Sequence, residues 1–400
     1  MEIYEPREDS YLLQKYVRAY AYGRVLDMGT GSGIQALAAM ENPDVLDVLA
    51  VDINQDAVNS LKDKIKNERL RKISVLHSDL FGNVFGKFNL ILFNPPYLPM
   101  DKDIDDPALY GGKKGWEISE KFFMQASKFL AHDGIILFLF SSLTNKDKID
   151  NILKQNLFQH KLLETQKLPF EELHVYEVAK TSLLRELESK GIENIHYFAE
   201  GKRGVIYTGI QDKSKLVKTH FPSKKDVVKA AIKVKKEESK AEGRIRNEAE
   251  WLKRLNRENI SPKLLFYNED YLVYKFVEGQ FILDWIEENK KEEIKRVLRD
   301  LLQQCYIMDK LNVNKEEMHH PLKHIIVDQN NNPTLIDFER CHQTDKPQNT
   351  TQFVEFICRT EKELKTKGFN FSVDGLRELA KEYKDTYDKK VFDEILGMVE

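Results

Sequence analysis

A glycine-rich turn between an apolar segment and a helical pattern constrains the fold of this 400-residue chain most strongly. Residues 25–33 read Val-Leu-Asp-Met-Gly-Thr-Gly-Ser-Gly, and apolar residues at helical spacing follow them. Glycine lets a backbone approach a ligand closely and adopt unusual φ angles. A strand, a glycine turn and a helix in this order predict the first unit of a Rossmann-like, doubly wound α/β sheet, which binds its ligand at the carboxyl ends of the strands.

Acidic residues follow the next two predicted strands. Asp52 ends the strand Ala50–Ile53, about 20 residues after Gly33, which is the distance expected for a carboxylate on ribose hydroxyls. Asp79 closes a third short strand, where it would accept a hydrogen bond from an adenine amino group. A dinucleotide is one alternative. However, Asp27 precedes the first glycine and would repel a pyrophosphate, so a cationic ligand such as S-adenosylmethionine is favoured, with Asp27 facing its amino group.

The stretch Asn94–Tyr97, Asn-Pro-Pro-Tyr, is the most informative for chemistry. It follows an apolar run, residues 90–93, that predicts a buried strand. Two prolines make the turn rigid because each locks φ and lacks an N–H. The Asn94 oxygen and the Pro95 carbonyl would accept the two protons of a planar NH2 group, while Tyr97 packs on its flat face. We therefore predict that Asn94, Pro95 and Tyr97 are catalytic; the alternative is an ordinary proline turn.

The N-terminal sequence resembles the HemK-type class I methyltransferases, the protein-glutamine N5-methyltransferases, and their archaeal and eukaryotic branch in particular. The resemblance covers about residues 1–180, and four segments carry it: Tyr4–Leu13, Asp27–Gly33, Asn94–Pro99 and Ala108–Gly115. The last of them suits a substrate loop or a plain surface connector. The alternating segment Phe170–Tyr176 is expected to be the last strand of the sheet. The resemblance and the glycine turn imply these S-adenosylmethionine-binding residues: Ser10, Asp27, Gly29, Gly31, Gly33, Asp52, Asp79, Leu80 and Asn94.

The resemblance implies an in-line methyl transfer from a sulfonium to an amide nitrogen, without a metal or a covalent enzyme intermediate. Most of the rate would come from positioning and electrostatics. The implied substrate is the glutamine of a Gly-Gly-Gln loop in a peptide-chain release factor, and the implied partner is a small zinc-binding activator subunit. Adenine N6 in DNA or RNA presents a similar NH2 group and stays an alternative. Such enzymes need a base-flipping element, and residues 1–180 show no sequence sign of one.

Length and composition predict two soluble domains, residues 1–180 and 181–400, because 400 residues exceed what one core usually holds. The net charge of −3 argues against nucleic-acid or membrane binding by bulk electrostatics. Three widely spaced cysteines, Cys305, Cys341 and Cys358, argue against disulfides and zinc knuckles and predict a reducing cytoplasm. We expect neither a membrane span nor a signal peptide.

The second half of the sequence has a different pattern. Residues 201–209 predict a strand, a glycine turn and a returning strand, in which Gly201 and Gly204 would lie over nucleotide phosphates; a plain hairpin is the alternative. Lys233, in Ala-Ile-Lys-Val, has the pattern of a phosphate-binding lysine on a strand. Glu248 falls on a helical segment and would pair with Lys233, although either residue by itself is typical of a surface charge.

Two further segments complete a resemblance to atypical protein kinases of the RIO and KEOPS-associated groups over about residues 182–346. Tyr271–Gly279 resembles the hinge strand whose backbone takes the adenine edge. Leu335–Glu339 resembles the metal-binding Asp-Phe-Gly, with Glu in place of Gly, and implies Asp337 as the metal ligand. The resemblance implies an α+β, two-lobed kinase-like domain that binds ATP and Mg²⁺, with residues 347–400 as its closing helices.

The expected catalytic loop departs from the kinase pattern. Pro321 stands at the position of the base, and Ile326 stands where a second metal ligand, Asn, is expected; Lys323 matches the lysine that touches the transferred phosphate. His319 or Glu317 would have to replace the base. Phosphoryl transfer depends mainly on positioning and charge neutralisation, so a missing base does not exclude it. An active kinase or ATPase and a nucleotide-binding pseudokinase both stay open.

Residues 201–257 form a basic segment, with 17 Lys and Arg against 7 Asp and Glu. Such a charge excess predicts either an RNA-contacting surface or a solvated face. Aromatic residues are sparse among these charges, which argues against stacking on single-stranded nucleic acid.

Overall fold

The computed structural model describes residues 2–98, 111–201, 204–212, 227–236 and 243–399. Contacts between Cα atoms divide the chain into two compact units, residues 1–197 with 210–227 and residues 198–209 with 228–400. In the described residues, no helix combines the length and the apolar character that crossing a membrane requires.

The N-terminal part of the chain alternates helices and strands. The helices are α1 (Glu8–Tyr20), α2 (Ile34–Met40), α3 (Gln55–Glu68), α4 (Glu117–Phe129), α5 (Lys146–Gln155) and α6 (Ser182–Ser189). The strands are β1 (Gly23–Met28), β2 (Val45–Asp52), β3 (Ile73–His77), β4 (Phe88–Phe93), β5 (Leu130–Ser141), β6 (Phe158–Lys167) and β7 (Glu172–Lys180).

These seven strands form one sheet with the order β3-β2-β1-β4-β5-β7-β6. Neighbouring strands from β3 to β5 are parallel, and β7 runs antiparallel to both β5 and β6. The strand order reverses between β1 and β4. The crevice outside the carboxyl ends of the strands at such a point is where open α/β sheets bind ligands. The predicted Rossmann-like, doubly wound sheet is confirmed.

Helices cover both faces of this sheet. Leu90 and Leu92 of β4 pack in the cluster that holds α1, α2 and α3, whereas Ile91 and Phe93 pack in the cluster that holds α4 and α5. Strands that are covered on both faces read as continuous apolar runs, which is why β4 was recognisable from its sequence. The sheet is therefore a rigid frame for the loops that follow its strands.

Two predicted strand boundaries need correction. The strand predicted at Ala50–Ile53 ends at Asp52, and Ile53 is exposed. The strand predicted over Phe170–Tyr176 is β7, the last of the seven along the chain; it begins at Glu172 rather than Phe170, and it lies between β5 and β6. Alternation shows that one face of a strand is buried, but it does not tell which strand will be its neighbour.

The remaining strands are β8 (Ile192–Glu200), β9 (Gly204–Asp212), β10 (Val227–Lys235), β11 (Leu264–Tyr267), β12 (Tyr271–Lys275), β13 (Gln280–Phe281), β14 (Val313–Asn314), β15 (Ile325–Val327), β16 (Pro333–Leu335) and β17 (His342–Gln343). The remaining helices are α7 (Arg244–Leu255), α8 (Ile282–Glu288), α9 (Lys291–Lys310), α10 (Asn349–Arg359), α11 (Glu361–Thr366), α12 (Val373–Thr386) and α13 (Lys389–Met398). A second sheet orders five of these strands as β11-β12-β10-β9-β8.

The second unit has its own hydrophobic core. Its longest helix, α9, buries apolar residues at three- and four-residue intervals from Ile294 to Met308. Helices α10, α12 and α13 contribute to the same core, so the helices predicted in residues 347–400 are confirmed. Two short antiparallel pairs, β15 with β16 and β14 with β17, lie in the stretch between α9 and α10.

Candidate functional site

The glycine-rich turn after β1 is held against the end of β2. The backbone amides of Gly29 and Thr30 both donate to the Val51 carbonyl, at 2.9 Å. The Gly31 amide donates to Asp52 Oδ2 at 2.8 Å. These bonds place the predicted ribose-binding carboxylate of Asp52 directly beside the turn, as the spacing of the two motifs implied.

Gly33 has a structural role in this turn. It has φ +82°, a left-handed conformation that favours glycine, and it directly precedes α2. A Cβ at this position would lie 2.6 Å from the Leu61 side chain. Gly33 does not line the cavity described below, so the glycine is required by close packing on α3 rather than by ligand approach.

Asp27 is buried beneath the turn. Its Oδ2 accepts hydrogen bonds from the Thr30 hydroxyl at 2.6 Å and from the Ala36 amide at 3.1 Å. Burial, assisted by the nearby Asp52, raises the pKa of Asp27 to about 7 against the opposing effect of these two hydrogen bonds. The carboxyl group therefore changes its charge near neutral pH and responds to any cation placed beside it.

Asp79 and Leu80 follow β3. The Ser78 amide donates to the Asp52 carbonyl at 2.9 Å, and the Ser78 hydroxyl donates to the Leu80 carbonyl at 2.8 Å. Leu80 has φ +45°, which turns the chain sharply after the strand. Asp79 is exposed and Leu80 is half-buried, and both line the cavity. Both side chains are therefore placed to contact a ligand there.

The turn Asn-Pro-Pro-Tyr follows β4. Asn94 Nδ2 donates to Asp9 Oδ2 at 2.8 Å. Asn94 Oδ1 is buried and accepts no hydrogen bond from any residue that the structure describes. The Tyr97 carbonyl accepts from the Thr144 hydroxyl at 3.4 Å, and burial, followed by the nearby Asp9, raises the pKa of the Tyr97 phenol. The turn thus presents an acceptor oxygen without a partner next to a neutral aromatic ring.

Asp9 is a site residue that the sequence reasoning missed. It lies in the first turn of α1 and is 4% exposed. Besides Asn94, it accepts hydrogen bonds from the Tyr4 hydroxyl at 3.1 Å and the Ser10 hydroxyl at 3.3 Å. Asp9 falls inside the Tyr4–Leu13 segment, and an acid at the start of a helix was the signal available, but it did not indicate contact with a residue 85 positions away.

One cavity of about 540 Å³ joins these elements. Its lining includes nearly all the predicted site residues of this unit, namely Ser10, Asp27, Gly29, Gly31, Asp52, Asp79, Leu80, Asn94, Pro95 and Tyr97. Their assignment to particular ligand groups stays a prediction. Asp9 and Tyr4 also line the cavity.

The predicted substrate loop is described only in part, because Ala108, Leu109 and Tyr110 lie outside the described residues, as does Pro99. The Gly111 amide donates to the Leu98 carbonyl at 3.0 Å, which joins this loop to the proline turn. A Cβ on Gly111 would lie 2.5 Å from the Pro96 carbonyl oxygen. The described part of the loop therefore packs against the backbone of the turn, with no room for a larger residue.

A second cavity, of about 930 Å³, lies in the second unit. Lys233 Nζ on β10 contacts three carboxylates there: Glu248 Oε2 at 2.7 Å, Asp337 Oδ1 at 3.1 Å and Glu339 Oε2 at 3.5 Å. Burial lowers the pKa of Lys233, but Glu248 and Asp337 outweigh it, so the pKa is raised overall. The predicted pair of Lys233 and Glu248 is present, with Glu248 buried and Lys233 half-buried, unlike two independent surface charges.

Two basic residues keep Asp337 ionised in this cavity. Burial alone would raise its pKa, but Lys233 and then Lys315 lower it below its usual value. Burial raises the pKa of Glu248, against the attraction of Lys233. The carboxylate oxygens of Glu248, Asp337 and Glu339 lie within 4.8 Å of one another, which is close enough for one cation.

The stretch that contains the expected catalytic positions makes contacts with Asp337 and His324 that the sequence did not predict. Lys315 is fully buried, and its Nζ donates to the Asp337 carbonyl at 2.6 Å and lies 3.1 Å from His324 Nδ1. Glu317 Oε2 lies 3.3 Å from His324 Nε2, and Glu317 also pairs with Arg340. The sequence reasoning did not single out Lys315 or His324.

Some of the remaining predicted residues of this unit line the second cavity, and others do not. Those that line the second cavity are Gly201, Gly204, Lys233, Glu248, Glu317, Lys323, Ile326 and Asp337. Neither Pro321, predicted at the position of the base, nor its suggested substitute His319 lines it. The predicted hinge segment contributes Tyr274 and Phe276–Gly279. Much of the basic segment lies outside the described residues, including Lys202, Arg203 and residues 213–226 and 237–242.

Comparison with known proteins connects the first unit to methyl transfer. The family model described as Methyltransferase small domain matches residues 8–168. A putative protein N5-glutamine methyltransferase from Methanocaldococcus jannaschii is 41% identical over 179 residues, which cover 44% of this chain and 90% of that protein.

More distant matches have related names. A release factor glutamine methyltransferase from Streptococcus pneumoniae is 33% identical over 122 residues, which are 28% of this chain and 43% of that protein, so the chain spans less than half of this bacterial relative. Among solved structures, the E. cuniculi Mtq2–Trm112 complex, described as responsible for methylation of the eRF1 termination factor, is 24% identical over 45% of this chain and 100% of that chain, with a TM-score of 0.38.

Proposed function

The chain belongs to the family of protein N5-glutamine methyltransferases, and we propose that its first unit transfers a methyl group from S-adenosylmethionine to a planar amide NH2 group. The proposed acceptor is the glutamine side chain of a Gly-Gly-Gln loop in a peptide-chain release factor. The names of the relatives from Methanocaldococcus and Streptococcus support this assignment.

The observation that carries the proposal is the unpartnered oxygen of Asn94. Asn94 lines the cavity, and its buried Oδ1 accepts no hydrogen bond from the described residues, which costs about 1–3 kcal/mol. A ligand donor that reaches this oxygen would remove that cost. An oxygen needs a donor, and a primary amide offers two N–H groups. The Pro95 carbonyl, on the same turn, is the second acceptor that the proposal requires.

The residues at the glycine turn fit S-adenosylmethionine. Carboxylates of Asp27, Asp52 and Asp79 line the cavity, which suits a ligand that carries an amino group, ribose hydroxyls and a positive sulfur, and disfavours a pyrophosphate. When bound, S-adenosylmethionine supplies an electrophilic methyl group. Gly29 and Gly31 leave room for it, since a Cβ at Gly29 would meet no atom within 4 Å and one at Gly31 would meet only the Tyr4 carbonyl oxygen, at 4.0 Å.

The protein's own residues act by orientation. An amide nitrogen is a weak nucleophile because its lone pair is delocalised. Hydrogen bonds from its N–H groups to Asn94 and Pro95 hold it in one direction and increase the electron density on nitrogen. Tyr97 packs on the flat face of the amide, and the raised pKa of its phenol keeps this ring neutral. Positioning of this kind supplies a large part of the rate in transfer between two bound groups.

The test uses labelled S-adenosylmethionine with a purified release factor and, separately, with DNA and RNA, followed by mass mapping. We expect one methyl group on the glutamine of the Gly-Gly-Gln loop and none on a factor in which that glutamine is replaced by alanine. Adenine N6 methylation is the rival outcome: a methyl group on nucleic acid and none on the factor contradicts the proposal.

The activator subunit is proposed as a partner from the family resemblance. Adding a small zinc-binding activator of the archaeal or eukaryotic type to the reaction is expected to raise methyl transfer to the factor. Equal rates with and without it would contradict this partner and leave the methylation assay intact.

For the second unit we propose a kinase-like, nucleotide-binding role. The supporting observation is the ion pair between half-buried Lys233 and buried Glu248, beside Asp337 in a cavity of about 930 Å³. The residues fit ATP with Mg²⁺: Lys233 and Lys323 would take phosphate oxygens, Asp337 the metal, and Gly201 and Gly204 would lie over the phosphates. Bound ATP with Mg²⁺ supplies the phosphoryl group.

Binding and transfer are tested separately. We expect ATP with Mg²⁺ to bind in calorimetry, and Asp337→Ala to weaken it at least tenfold, whereas Asp300→Ala, an exposed acid on α9, has no effect. Absence of binding contradicts the nucleotide role. If ATP binds and labelled phosphate transfer is the same for wild type and Asp337→Ala, the second unit is a pseudokinase.

An RNA-contacting role of the basic segment is a further proposal for the second unit. A gel-shift assay with tRNA or ribosomal RNA tests it, and the absence of binding at low salt would contradict it.

A further inference from the structure

Asp9 is hydrogen-bonded to Asn94, the side chain on which the proposed methyl-transfer site depends. Asn94 Nδ2 donates a hydrogen bond to Asp9 Oδ2 at 2.8 Å. The hydroxyls of Tyr4 and Ser10 donate to Asp9 Oδ1 at 3.1 and 3.3 Å. A carboxylate in the first turn of a helix is also stabilised by the helix dipole. Both oxygens of Asp9 are therefore engaged, and the carboxylate is held in one orientation.

The two ends of an asparagine amide have nearly the same shape, so packing alone does not choose between them. One end only accepts hydrogen bonds and the other only donates them. A carboxylate accepts, so it selects the NH2 end of Asn94 and turns Oδ1 away from itself. That oxygen is the buried atom that accepts no hydrogen bond from the described residues.

The reversed amide would be unfavourable twice. Its oxygen would face the Asp9 carboxylate, acceptor against acceptor, and its NH2 group would face the NH2 group of the substrate, donor against donor. Each mismatch leaves a buried polar group unpaired, at a cost of about 1–3 kcal/mol.

We propose that Asp9 is a positioning residue for methyl transfer: it fixes the orientation of the Asn94 amide so that an acceptor oxygen, and not a donor NH2 group, meets the substrate amide. This inference rests on the proposed amide methylation. Asp9 does not touch the reacting atoms, so it acts through Asn94, and α1 thereby becomes part of the site.

An exchange of the two side chains tests the pair. Asp9→Asn allows either amide orientation and is expected to lower kcat about 10- to 100-fold, with little change in the affinity for S-adenosylmethionine. Asn94→Asp places two carboxylates against each other and lowers kcat further. The double variant D9N/N94D restores one donor facing one acceptor and leaves an oxygen toward the substrate, so its kcat should exceed that of N94D at least tenfold.

A purely structural role for Asp9 predicts a different result. Loss of folding would lower Tm and donor binding together, and the double variant would be worse than either single one. Asp63→Asn, an exposed acid on α3, is the matched control and should behave as wild type. Wild-type kcat in D9N, or a double variant no better than N94D, overturns the proposal.

A measurement without any methyl acceptor separates this inference from the proposed function. In protein labelled with ¹⁵N-asparagine, the Asn94 side-chain NH2 signals are assigned by their absence in N94D. Hydrogen exchange of these protons should be slow in wild type and at least tenfold faster in Asp9→Ala. Unchanged exchange overturns the positioning role. If exchange responds but no amide is methylated, the proposed function is wrong and the orientation of Asn94 by Asp9 stands.

Discussion

The two cavities of this protein differ in how fully their polar side chains are paired with other residues. In the first unit, Asn94 leaves an oxygen without a partner among the described residues, and Asp27 has a pKa of about 7. In the second unit, Lys233 is bound by Glu248 and approached by two more carboxylates. A neutral NH2 group can hydrogen-bond to Asn94 Oδ1 in the first cavity without displacing another donor from it. An anionic ligand in the second cavity must compete with three carboxylates for Lys233, so it needs bound cations to offset their charge.

This comparison predicts that Asn94→Ala separates activity from stability. We expect kcat for methyl transfer to fall about 10²- to 10³-fold, similar to the loss of one preorganised hydrogen bond in a polar active site. The free energy of unfolding should fall by only about 1–2 kcal/mol, because removal of the unpaired Asn94 oxygen offsets part of the cost of leaving Asp9 Oδ2 buried without its hydrogen bond. Steady-state kinetics and chemical denaturation measure the two effects. A large loss of stability with unchanged kcat would reverse the comparison.

Glu248→Gln should have the opposite effect, lowering the stability of the second unit without lowering methyl transfer. Removing one partner of a buried ion pair typically costs about 3–5 kcal/mol, and we expect the lower end of that range because Asp337 and Glu339 remain beside Lys233. Denaturation followed in the second unit measures it, with exposed Glu258→Gln as the control. Methyl transfer should persist under native conditions. A loss below about 0.5 kcal/mol would mean that the pair contributes little to the fold.

Gly33→Ala tests the tight packing of the glycine-rich turn against α3, beside the first cavity. The φ of +82° and the Leu61 side chain 2.6 Å from a new Cβ predict a loss of about 1–3 kcal/mol in unfolding free energy. A second change, Leu61→Ala, should remove the steric part but not the backbone strain. If Gly33→Ala alone is neutral, the turn adapts, and the close approach of α3 does not constrain it.

The pH dependence of donor binding should be the smallest effect. Burial raises the pKa of Asp27 from 3.8 to about 7. The unfolded chain therefore loses this proton at lower pH than the fold does, so unfolding free energy falls as pH rises from about 4 through 7. A cation favours the charged form, so the affinity for S-adenosylmethionine should rise a few-fold between pH 6 and 8. Calorimetry with Asp27→Asn as control measures this, and an equal pH profile in both proteins contradicts it.

Much of the first site could be predicted because its parts are local. The glycines, Asp27 and the proline turn each follow an apolar strand, and parallel strands bring their carboxyl ends to one edge of the sheet. Asp9 could not be found in this way, since it reaches Asn94 through a hydrogen bond across 85 residues. Helix position explains why an acid suits the start of α1, but not what lies opposite it.

The second unit shows the same limit more clearly. Lys233 and Glu248 were predicted as a pair because the Ala-Ile-Lys-Val pattern placed Lys233 on a strand and Glu248 fell on the helical segment that follows it. Pro321, which stands at the position of the expected base, does not line the cavity, whereas Glu317, one of its two suggested substitutes, lines it together with His324. A loop of irregular backbone has no periodic pattern from which its inward-facing residues can be counted, so the sequence did not indicate that His324 would line the cavity.

The amino-acid sequence alone determined the alternation of strands and helices in the first unit, the glycine turn and the proline turn, because apolar periodicity, positive φ and fixed φ are properties of neighbouring residues. Tertiary structure alone decided which acid contacts Asn94, which lysine holds the Asp337 carbonyl and that Asp337 and Glu339 join Glu248 around Lys233. Those contacts depend on the direction in which side chains leave elements that are distant along the chain, and only the packing of those elements sets that direction.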